Sequence, residues 1–274
     1  MKISLVIPSY NRYEFLKRAI ASVVAQSYPV AEIIVVDDGS SDQTAQIQKD
    51  FPSIKYIYQK KSGVSSARNS GINAATNEWI AFLDSDDEWH KDKLQEQTLF
   101  HTQNRDILVS YTDELWVRDG KAVKIPKKFR KIGKDAFVEN LSYCNIAPSS
   151  ALVNRSIFES VGLFDESLEV CEDYDLWLRI ALSSKIGLVD KKLIIKYAGH
   201  EDQLSFKYWG MDRFRVQSLE ALLEREDIKE SLYYEKILKE ILTKYELLLK
   251  GAKKHEIEEN IKEYEAKVAK FRLL

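Results

Sequence analysis

The sequence predicts an α/β fold with a Rossmann-like, mostly parallel β-sheet flanked by helices, followed by an α-helical extension at the C-terminus. Over the first hundred residues, short continuous apolar runs alternate with amphipathic helix patterns, which is typical of parallel βαβ units. After about residue 206, helix patterns follow one another without intervening strands. We therefore predict a sheet domain over residues 1–206 and a helical extension over residues 207–274.

The first four strands are predicted where apolar and β-branched runs end at turn residues. These runs cover residues 3–7, 32–36, 54–58 and 79–83. Helix patterns separate them: an amphipathic helix starts at Tyr13, a short helix capped by Asp42 extends to about residue 50, and another helix covers residues 64–75.

The middle of the chain is less regular. Residues 107–125 predict a β-hairpin with its turn at the Asp119-Gly120 pair. A helix is predicted over residues 172–182, and one or two strands over residues 187–197. Trp177 and Trp209 could line a binding groove, but a tryptophan on a helix next to a site is more often a core residue, so neither is assigned to a site.

The extension carries two apolar stripes at helical spacing, followed by a charged helix predicted over residues 256–271. The stripes comprise Val216, Leu219, Leu222 and Leu223, and then Leu232, Ile237, Leu238, Ile241, Leu242, Tyr245 and Leu249. We expect them to pack on the sheet domain or on a second subunit as a homo-oligomer contact, with peripheral membrane contact as the minor alternative.

Composition narrows the class of protein. The 274 residues are 45% hydrophobic with a net charge of -2, which allows a full core and argues against a nucleic-acid partner. Cys144 and Cys171 are too few for a disulfide framework or a thiolate zinc site. Neither a signal-peptide pattern nor a membrane-spanning apolar run is found, so we expect a cytoplasmic protein, with membrane association as the alternative.

Acidic clusters follow the predicted strands or begin a helix: Asp37-Asp38, Asp84-Ser85-Asp86-Asp87 and Glu172-Asp173. In parallel sheets the chemistry lies at the carboxyl ends of the strands. An isolated acidic pair is usually a cap or a solvated turn, but the cluster over residues 84–87 follows a buried strand, where uncompensated carboxylates repel one another. Mg²⁺ or Mn²⁺ would offset that repulsion, with diphosphate oxygens and water as further ligands.

A glycine-containing loop precedes the helix predicted over residues 64–75. Gly63 permits close backbone approach, and the Arg68 guanidinium can pair with an anion. Such loops before helices are common, so this signal gains weight only beside the acidic clusters.

Together the motifs occur in a specific order. They are Pro8-Ser9-Tyr10-Asn11, the segment 36–42, the loop 63–71, Leu83-Asp84-Ser85-Asp86-Asp87, and Glu172-Asp173 continuing through Leu176 to Arg179. Over residues 1–205 this order resembles the large family 2 of inverting nucleotide-sugar glycosyltransferases, which have the GT-A fold. The resemblance implies transfer of a hexosyl or N-acetylhexosaminyl group from a nucleotide-diphosphate donor, with UDP favoured. The acceptor would be a hydroxyl of a carbohydrate or lipid-linked glycan, in bacterial-type polysaccharide or glycoconjugate synthesis.

The resemblance also implies roles for the donor-binding residues. Pro8, Tyr10 and Asp38 would hold the nucleoside, by an aromatic face against the base and a carboxylate accepting from its ring N–H. Arg68 would lie near the nucleotide. Asp84 would contact the ribose or the water shell of the metal.

The same resemblance implies a metal site and a base. Asp86 would be the direct ligand of Mn²⁺ or Mg²⁺, and Asp173 would take the proton from the acceptor hydroxyl. His200, in the segment 199–205, would reach the metal or the diphosphate. In relatives a basic residue often precedes this histidine, and here the preceding residues are Lys196-Tyr197-Ala198-Gly199.

Two alternative classes of protein have different sequence requirements. A sugar-1-phosphate nucleotidyltransferase would need a glycine-rich basic loop after the first strand, where this chain has Pro8-Ser9-Tyr10-Asn11-Arg12. A degenerate, non-catalytic module that binds a carbohydrate or a protein partner would be signalled by loss of Asp86 or Asp173, and both are present.

Overall fold

A computed structural model of the protein describes residues 1–197, 199, 208 and 210–274. The chain divides into two compact units, Met1–His200 and Glu201–Leu274, which we call the sheet unit and the helical unit. The boundary predicted at residue 206 lies outside the described residues.

The strands of the sheet unit form one mixed sheet. They are β1 Ile3–Ser9, β2 Glu32–Asp37, β3 Lys55–Tyr58, β4 Trp79–Phe82, β5 Glu88–Trp89, β6 Val109–Arg118, β7 Lys121–Val123, β8 Leu152–Asn154 and β9 Ile186–Tyr197. Their order is β3-β2-β1-β4-β8-β6-β9-β5, with β7 paired to β6. The first four strands are parallel, as predicted. Beyond β4 the sheet is mixed, because β8 lies antiparallel to both β4 and β6.

Helices connect and cover these strands. In the sheet unit they are α1 Tyr13–Val24, α2 Ile47–Asp50, α3 Val64–Ala74, α4 Lys93–Gln103, α5 Ala136–Leu141, α6 Arg155–Val161 and α7 Glu172–Ser183. The predicted cap at Asp42 is confirmed, since its side chain accepts from the Thr44 amide at 2.9 Å. The predicted hairpin is also confirmed: β6 pairs with β7, and Asp119 and Gly120 both have positive φ at the turn.

Both faces of the parallel strands are buried. On one face Val6 and Phe82 pack with Trp177 of α7, and on the other Ile7 packs with Leu16 of α1. Helix α3 lies close against β1, because a Cβ at Gly71 would come within 2.2 Å of a Val6 methyl. This close packing fixes the position of α3, the helix that carries Arg68.

The helical unit contains α8 Asp212–Leu223, α9 Glu226–Lys229, α10 Tyr234–Lys254 and α11 Glu258–Arg272. Its apolar stripes are largely buried within the unit; for example, the Tyr245 and Phe271 rings stack with centroids 6.0 Å apart. The assignment of Leu232 to the stripe is wrong, since it is 72% exposed and precedes the start of α10. Among the described residues, no helix is long and apolar enough to cross a membrane.

Candidate functional site

The loops that follow β1 and β2 are tied together at the carboxyl edge of the sheet. Asn11, which follows β1, adopts a positive φ of 50°. Its side-chain oxygen accepts from the Ser41 amide at 2.8 Å, and its own amide donates to the Ser40 hydroxyl at 2.8 Å. Tyr10 lies beside it, 39% exposed, while Pro8 is buried within β1.

Asp38 closes the loop after β3 onto the end of β2. One carboxylate oxygen accepts from the Ser62 amide and the Gln59 side chain, and the other accepts from the Gly63 amide, all at 2.8 Å. Because a carboxylate offers about four lone-pair sites, these three bonds leave room for one more donor. The structure therefore gives Asp38 a role in shaping the loop, while the predicted contact with a nucleobase remains a prediction.

Arg68 joins two of the acidic clusters. Its Nη2 lies 2.8 Å from the Asp84 carboxylate and its Nη1 lies 2.5 Å from the Glu172 carboxylate. Burial opposes the charge of Arg68, yet Asp84 and Glu172 raise the pKa of its guanidinium above the ordinary value. Arg68 thus positions these two acids; contact with the nucleotide is not tested by this arrangement and stays a prediction.

Glu172, which begins α7, has an unusual ionisation. Burial raises the pKa of Glu172 to about 7, with the Asp173 charge acting in the same direction and Arg68 acting against it. The residue before it, Cys171, has a φ of 64° at the start of the helix. Cys171 thus adopts the left-handed conformation at the N-cap of α7, directly before the glutamate that bonds to Arg68.

Asp173 differs from the other acids in the first turn of α7. Glu172 bonds to Arg68, and Asp175 pairs with Arg179 at 2.7 Å. Asp173 is half-buried and accepts from the Tyr174 amide at 2.7 Å. Within the described part of the chain, Asp173 is the one acid of this turn without an ion pair to a basic side chain.

The cluster after β4 is folded around Ser149, which lies in the 3-10 turn Pro148–Ser150. The Ser149 hydroxyl accepts from the Asp84 amide at 3.0 Å and donates to the Asp87 carboxylate at 2.6 Å. Burial, together with the charges of Asp86 and Asp84, raises the pKa of Asp87 well above its usual range. Asp87 is therefore a buried structural acid rather than an accessible ligand.

Asp86 lies on the more accessible side of this cluster. One of its carboxylate oxygens is 2.9 Å from Arg12 Nη1, and its backbone carbonyl accepts from Arg18 at 2.8 Å. The residues described contain no group of three or more His, Cys, Asp and Glu side chains arranged to hold a metal ion. His200, the second predicted metal ligand, lies outside the described residues.

Two charged residues that the sequence did not assign to the site also face the acids. Glu114 of β6 is buried, and Lys196 lies near the end of β9. Burial disfavours the charge of Lys196, but Glu114, Asp87, Asp84 and Asp86, in that order, raise its pKa above the ordinary value. The alignment of β6 with β9 brings Glu114 and Lys196 together, and a register between strands so far apart in sequence could not be deduced from either strand alone.

Comparison with known proteins assigns this architecture to a class. The structure of TarS from Staphylococcus aureus matches 89% of this chain and 43% of TarS with a TM-score of 0.71 and 22% identity, which supports the GT-A fold. A structure of TarS residues 1–349 in complex with UDP-GlcNAc matches with a TM-score of 0.70 and 21% identity, over 89% of this chain and 71% of that one.

The sequence comparisons identify the family. The model of glycosyl transferase family 2 matches residues 4–162, and the chain belongs to this family of glycosyltransferases. An uncharacterised glycosyltransferase of Rickettsia conorii is 37% identical over 196 residues, which are 70% of this chain and 32% of that protein. The chain therefore spans about a third of the length of that relative.

A relative with a stated reaction is WfaP of Escherichia coli, a UDP-Glc:alpha-D-GlcNAc-diphosphoundecaprenol beta-1,3-glucosyltransferase. It is 30% identical over 200 residues, which cover 71% of this chain and 76% of WfaP. The family assignment decides against the alternative of a sugar-1-phosphate nucleotidyltransferase.

Proposed function

We propose that the protein transfers a sugar from a UDP-sugar to a hydroxyl group of a glycan acceptor, with inversion at the anomeric carbon. The observation that carries this proposal is the link from Asp84 through Arg68 to Glu172, beside Asp173. Arg68 is buried, and its two terminal nitrogens bond to Asp84 and Glu172, so the residues after β4 and the first turn of α7 form one rigid frame. Such a frame suits a reaction in which a donor and an acceptor must be held in fixed relative positions.

Asp173 is the residue that we assign as general base. Its neighbour Glu172 is buried against Arg68, and Asp175 is engaged by Arg179, so neither carboxylate is available to an acceptor. Asp173 is more accessible than either, and it accepts a hydrogen bond from the Tyr174 amide at 2.7 Å. A carboxylate in this state can accept a proton from a hydroxyl that comes within hydrogen-bond distance.

The proposed step is a single displacement. Asp173 removes the proton of the acceptor hydroxyl while that oxygen forms a bond to the anomeric carbon of the donor sugar. The bond between the anomeric carbon and the diphosphate oxygen breaks at the same time, and UDP leaves with the electron pair. Attack from the face opposite to the leaving group inverts the anomeric configuration.

The donor set after β4 fits a divalent cation. Carboxylate oxygens are the preferred ligands of Mg²⁺ and Mn²⁺, and Asp84 and Asp86 each place a carboxylate oxygen within 2.9 Å of an arginine cation. We assign Asp86 as the direct ligand, with His200 as the second protein ligand and donor phosphates and water completing the coordination. When bound, the cation would neutralise the negative charge of the departing diphosphate.

The nucleoside is assigned to the edge formed by β1 and β2. Asp38 accepts three hydrogen bonds, and its remaining lone-pair site is the one that we assign to a ring N–H of the base. The exposed ring of Tyr10 can stack on a base, and Lys61 Nζ lies 3.9 Å from the centroid of that ring. Pro8, at the end of β1, would contact the base from within the strand.

The acceptor class is proposed from the relatives. WfaP is named for transfer to a sugar on diphosphoundecaprenol, and TuaG of Bacillus subtilis, 38% identical over 124 residues, for teichuronic acid biosynthesis. The identity to TuaG covers 43% of this chain and 49% of that one. We therefore propose a bacterial polysaccharide or glycoconjugate pathway, with a lipid-linked glycan as the acceptor.

The donor assignment is tested by thermal unfolding of the full chain with a panel of nucleotide sugars, each with Mn²⁺ and with a chelator. A ligand at 100 times its dissociation constant stabilises the folded protein by about 2.7 kcal/mol, so the true donor should raise the Tm clearly. Asp86→Ala should abolish the difference between Mn²⁺ and chelator. Asp106→Ala, which changes an exposed acid paired with Lys185, is the matched control.

The outcome that would contradict the proposal is equally definite. If no UDP-sugar raises the Tm while another nucleotide sugar does, the assignment of the donor is wrong. If Asp86→Ala keeps the full Mn²⁺ effect, the assignment of the metal ligand is wrong. The anomeric configuration of an isolated product, measured by NMR, decides between inversion and retention.

A further inference from the structure

A strongly basic segment lies on the sheet unit, outside the site described above. Residues 120–134 contain six lysines and one arginine but no acidic residue, whereas the whole chain has a net charge of -2. The segment includes β7, the 3-10 turn Lys127–Phe129 and the loop that leads to α5. We call it the basic segment.

Most of its charges are exposed and lack a carboxylate partner. The exposed cations are Lys121, Lys124, Lys127, Lys128, Arg130 and Lys134. In the described part of the chain, none of the six has an acidic side chain within ion-pair distance. The seventh, Lys131, is buried and pairs with Glu114 at 3.0 Å. Among the described residues, the six exposed charges therefore have no ion-pair partner that would offset their mutual repulsion.

The basic segment is nevertheless held in a defined shape. The Phe129 ring packs against Trp116 and Tyr143, with centroids 5.7 and 5.8 Å apart. The Glu139 carboxylate accepts from the backbone amides of the loop, among them Lys134 at 2.7 Å and Gly133 at 3.1 Å. A carboxylate close to the cations is thus used to fix the backbone.

The basic segment also exposes one large apolar side chain. Ile132 is 58% exposed and lies between Lys131 and Gly133. A soluble polyanion would gain little from an exposed isoleucine, whereas the boundary between lipid headgroups and acyl chains accepts one. Clusters of four to eight basic residues are attracted to anionic lipid surfaces.

We propose that the basic segment docks the protein on a bilayer of anionic phospholipids. The cations contact the headgroup phosphates and Ile132 enters the interface. This inference does not depend on the identity of the donor or of the acceptor. The docking surface belongs to the same unit as the acids after β4. Lys131 of the basic segment pairs with Glu114, and Glu114 interacts with Lys196, which those acids also face.

The test is co-sedimentation of the full chain with vesicles of phosphatidylglycerol and phosphatidylcholine, and with vesicles of phosphatidylcholine alone. We expect binding to the anionic vesicles, and its loss in about 1 M salt, where charges are screened beyond about 3 Å. Replacing all six exposed cations by Gln should weaken binding by more than about tenfold. Ile132→Ser should weaken vesicle binding but leave retention on soluble polyphosphate unchanged.

A matched control replaces six exposed lysines of the helical unit by Gln: Lys236, Lys239, Lys250, Lys254, Lys262 and Lys270. This variant should bind anionic vesicles as the unaltered protein does, and so should Asp173→Asn, which separates docking from catalysis. The Tm of each variant shows whether it folds; if the sixfold variant does not, two variants with three replacements each take its place.

Three outcomes would overturn the proposal. The first is that the unaltered protein fails to bind anionic vesicles at low salt. The second is that the six replacements in the helical unit abolish binding as well as those in the basic segment do. The third is retention on polyphosphate without any vesicle binding, which would assign the basic segment to a soluble polyanion.

Discussion

Two carboxyl groups, Glu172 in the sheet unit and Asp212 in the helical unit, each bond to a buried cation, yet their pKa values move in opposite directions. Burial raises the pKa of Glu172 to about 7, and Arg68 does not offset this. Burial also acts on Asp212, but Lys244 and Arg215 lower its pKa below the usual value.

The difference lies in the balance of charges around each group. In the helical unit, Lys244 is shared between Asp212 at 3.0 Å and Glu240 at 3.1 Å, and Arg215 adds a second cation beside Asp212. At the carboxyl edge of the sheet unit, acids are crowded: Asp173 adds its charge to Glu172, and Asp84 and Asp86 add theirs to Asp87. The balanced ion pairs around Lys244 contribute to stability, whereas an excess of acids such as that in the sheet unit is typical of a site that binds a cation or moves a proton.

The largest expected effect concerns the acid that we place in the chemistry. Asp173→Asn keeps the shape of the side chain but cannot take up a proton, so the turnover number should fall about 10²–10⁴-fold. Affinity for UDP, measured by calorimetric titration, should hardly change, because we place Asp173 on the acceptor side.

Asp175→Asn is the matched control, because Asp175 lies two residues after Asp173 in the first turn of the same helix. Asp175 holds Arg179, which also donates to the Val161 and Leu163 carbonyls, so this change should lower stability and leave the turnover number within about threefold. If Asp173→Asn retains normal turnover, the proposed base is wrong; if both variants lose it equally, the helix turn matters as a whole.

A second large effect is expected at the cation that joins the acidic clusters. Arg68→Met leaves Asp84 and Glu172 without their partner in a buried setting, which typically costs about 3–5 kcal/mol of unfolding free energy. Urea denaturation measures this change. Arg155→Met provides a comparison, because among the described residues Arg155 bonds to backbone carbonyls such as that of Ala75 and not to acids. A cost of less than about 1 kcal/mol at Arg68 would show that the bridge is not important for stability.

Much of the sheet unit could be predicted from sequence because its signals are local. Apolar runs and turn residues predicted β1 to β4, and the alternation with helices predicted their parallel order. The short strands β5 and β8 were missed. Each has only two or three residues, so neither is long enough to show a period, and each is defined by pairing with strands distant in sequence.

The acids of the site could be predicted from sequence because they occupy consecutive positions, but the residues that bond to them could not. No local pattern indicates that Arg68 bridges Asp84 and Glu172, since Glu172 is 104 residues away. Glu114 and Lys196 were likewise missed, because only the register of β6 on β9 brings them to the acidic edge. The predicted roles of Pro8, Tyr10, Asp38 and Asp86 towards ligands stay predictions.

The pH dependence of stability tests the unusual ionisation of Glu172. Its pKa in the folded protein is about 7, against an ordinary value of 4.5, so the folded state keeps a proton that the unfolded state loses between these pH values. Stability should therefore decrease as the pH rises from about 4.5 to about 7 and then level off, by an amount on the order of 3 kcal/mol.

Glu172→Gln isolates this contribution, because an amide does not titrate. The difference in unfolding free energy between the unaltered protein and Glu172→Gln, measured at several pH values, should show the decrease. Asp212→Asn should give the opposite sign: the pKa of Asp212 is lowered, so its contribution is present at neutral pH and is lost in acid. If the difference in unfolding free energy between the unaltered protein and Glu172→Gln does not vary with pH, the raised pKa of Glu172 is wrong.

The smallest expected effect comes from comparing two buried lysines, Lys93 at the start of α4 and Lys244 in α10. Lys93 donates to the Gln97 side chain at 2.7 Å, and burial without an acidic partner lowers its pKa well below the usual value. Lys93→Met removes a costly buried amine but leaves the Gln97 oxygen without its donor, so the two effects should nearly cancel, within about 1 kcal/mol. Lys244→Met instead leaves Asp212 with Arg215 alone and removes this cation from Glu240, so it should cost roughly 1–3 kcal/mol. Urea denaturation of both variants at neutral pH measures the two losses of unfolding free energy. Equal losses would mean that the carboxylates around Lys244 contribute nothing beyond packing. A larger loss for Lys93→Met would mean that the hydrogen bonds of Lys93 matter more to stability than the ion pairs of Lys244.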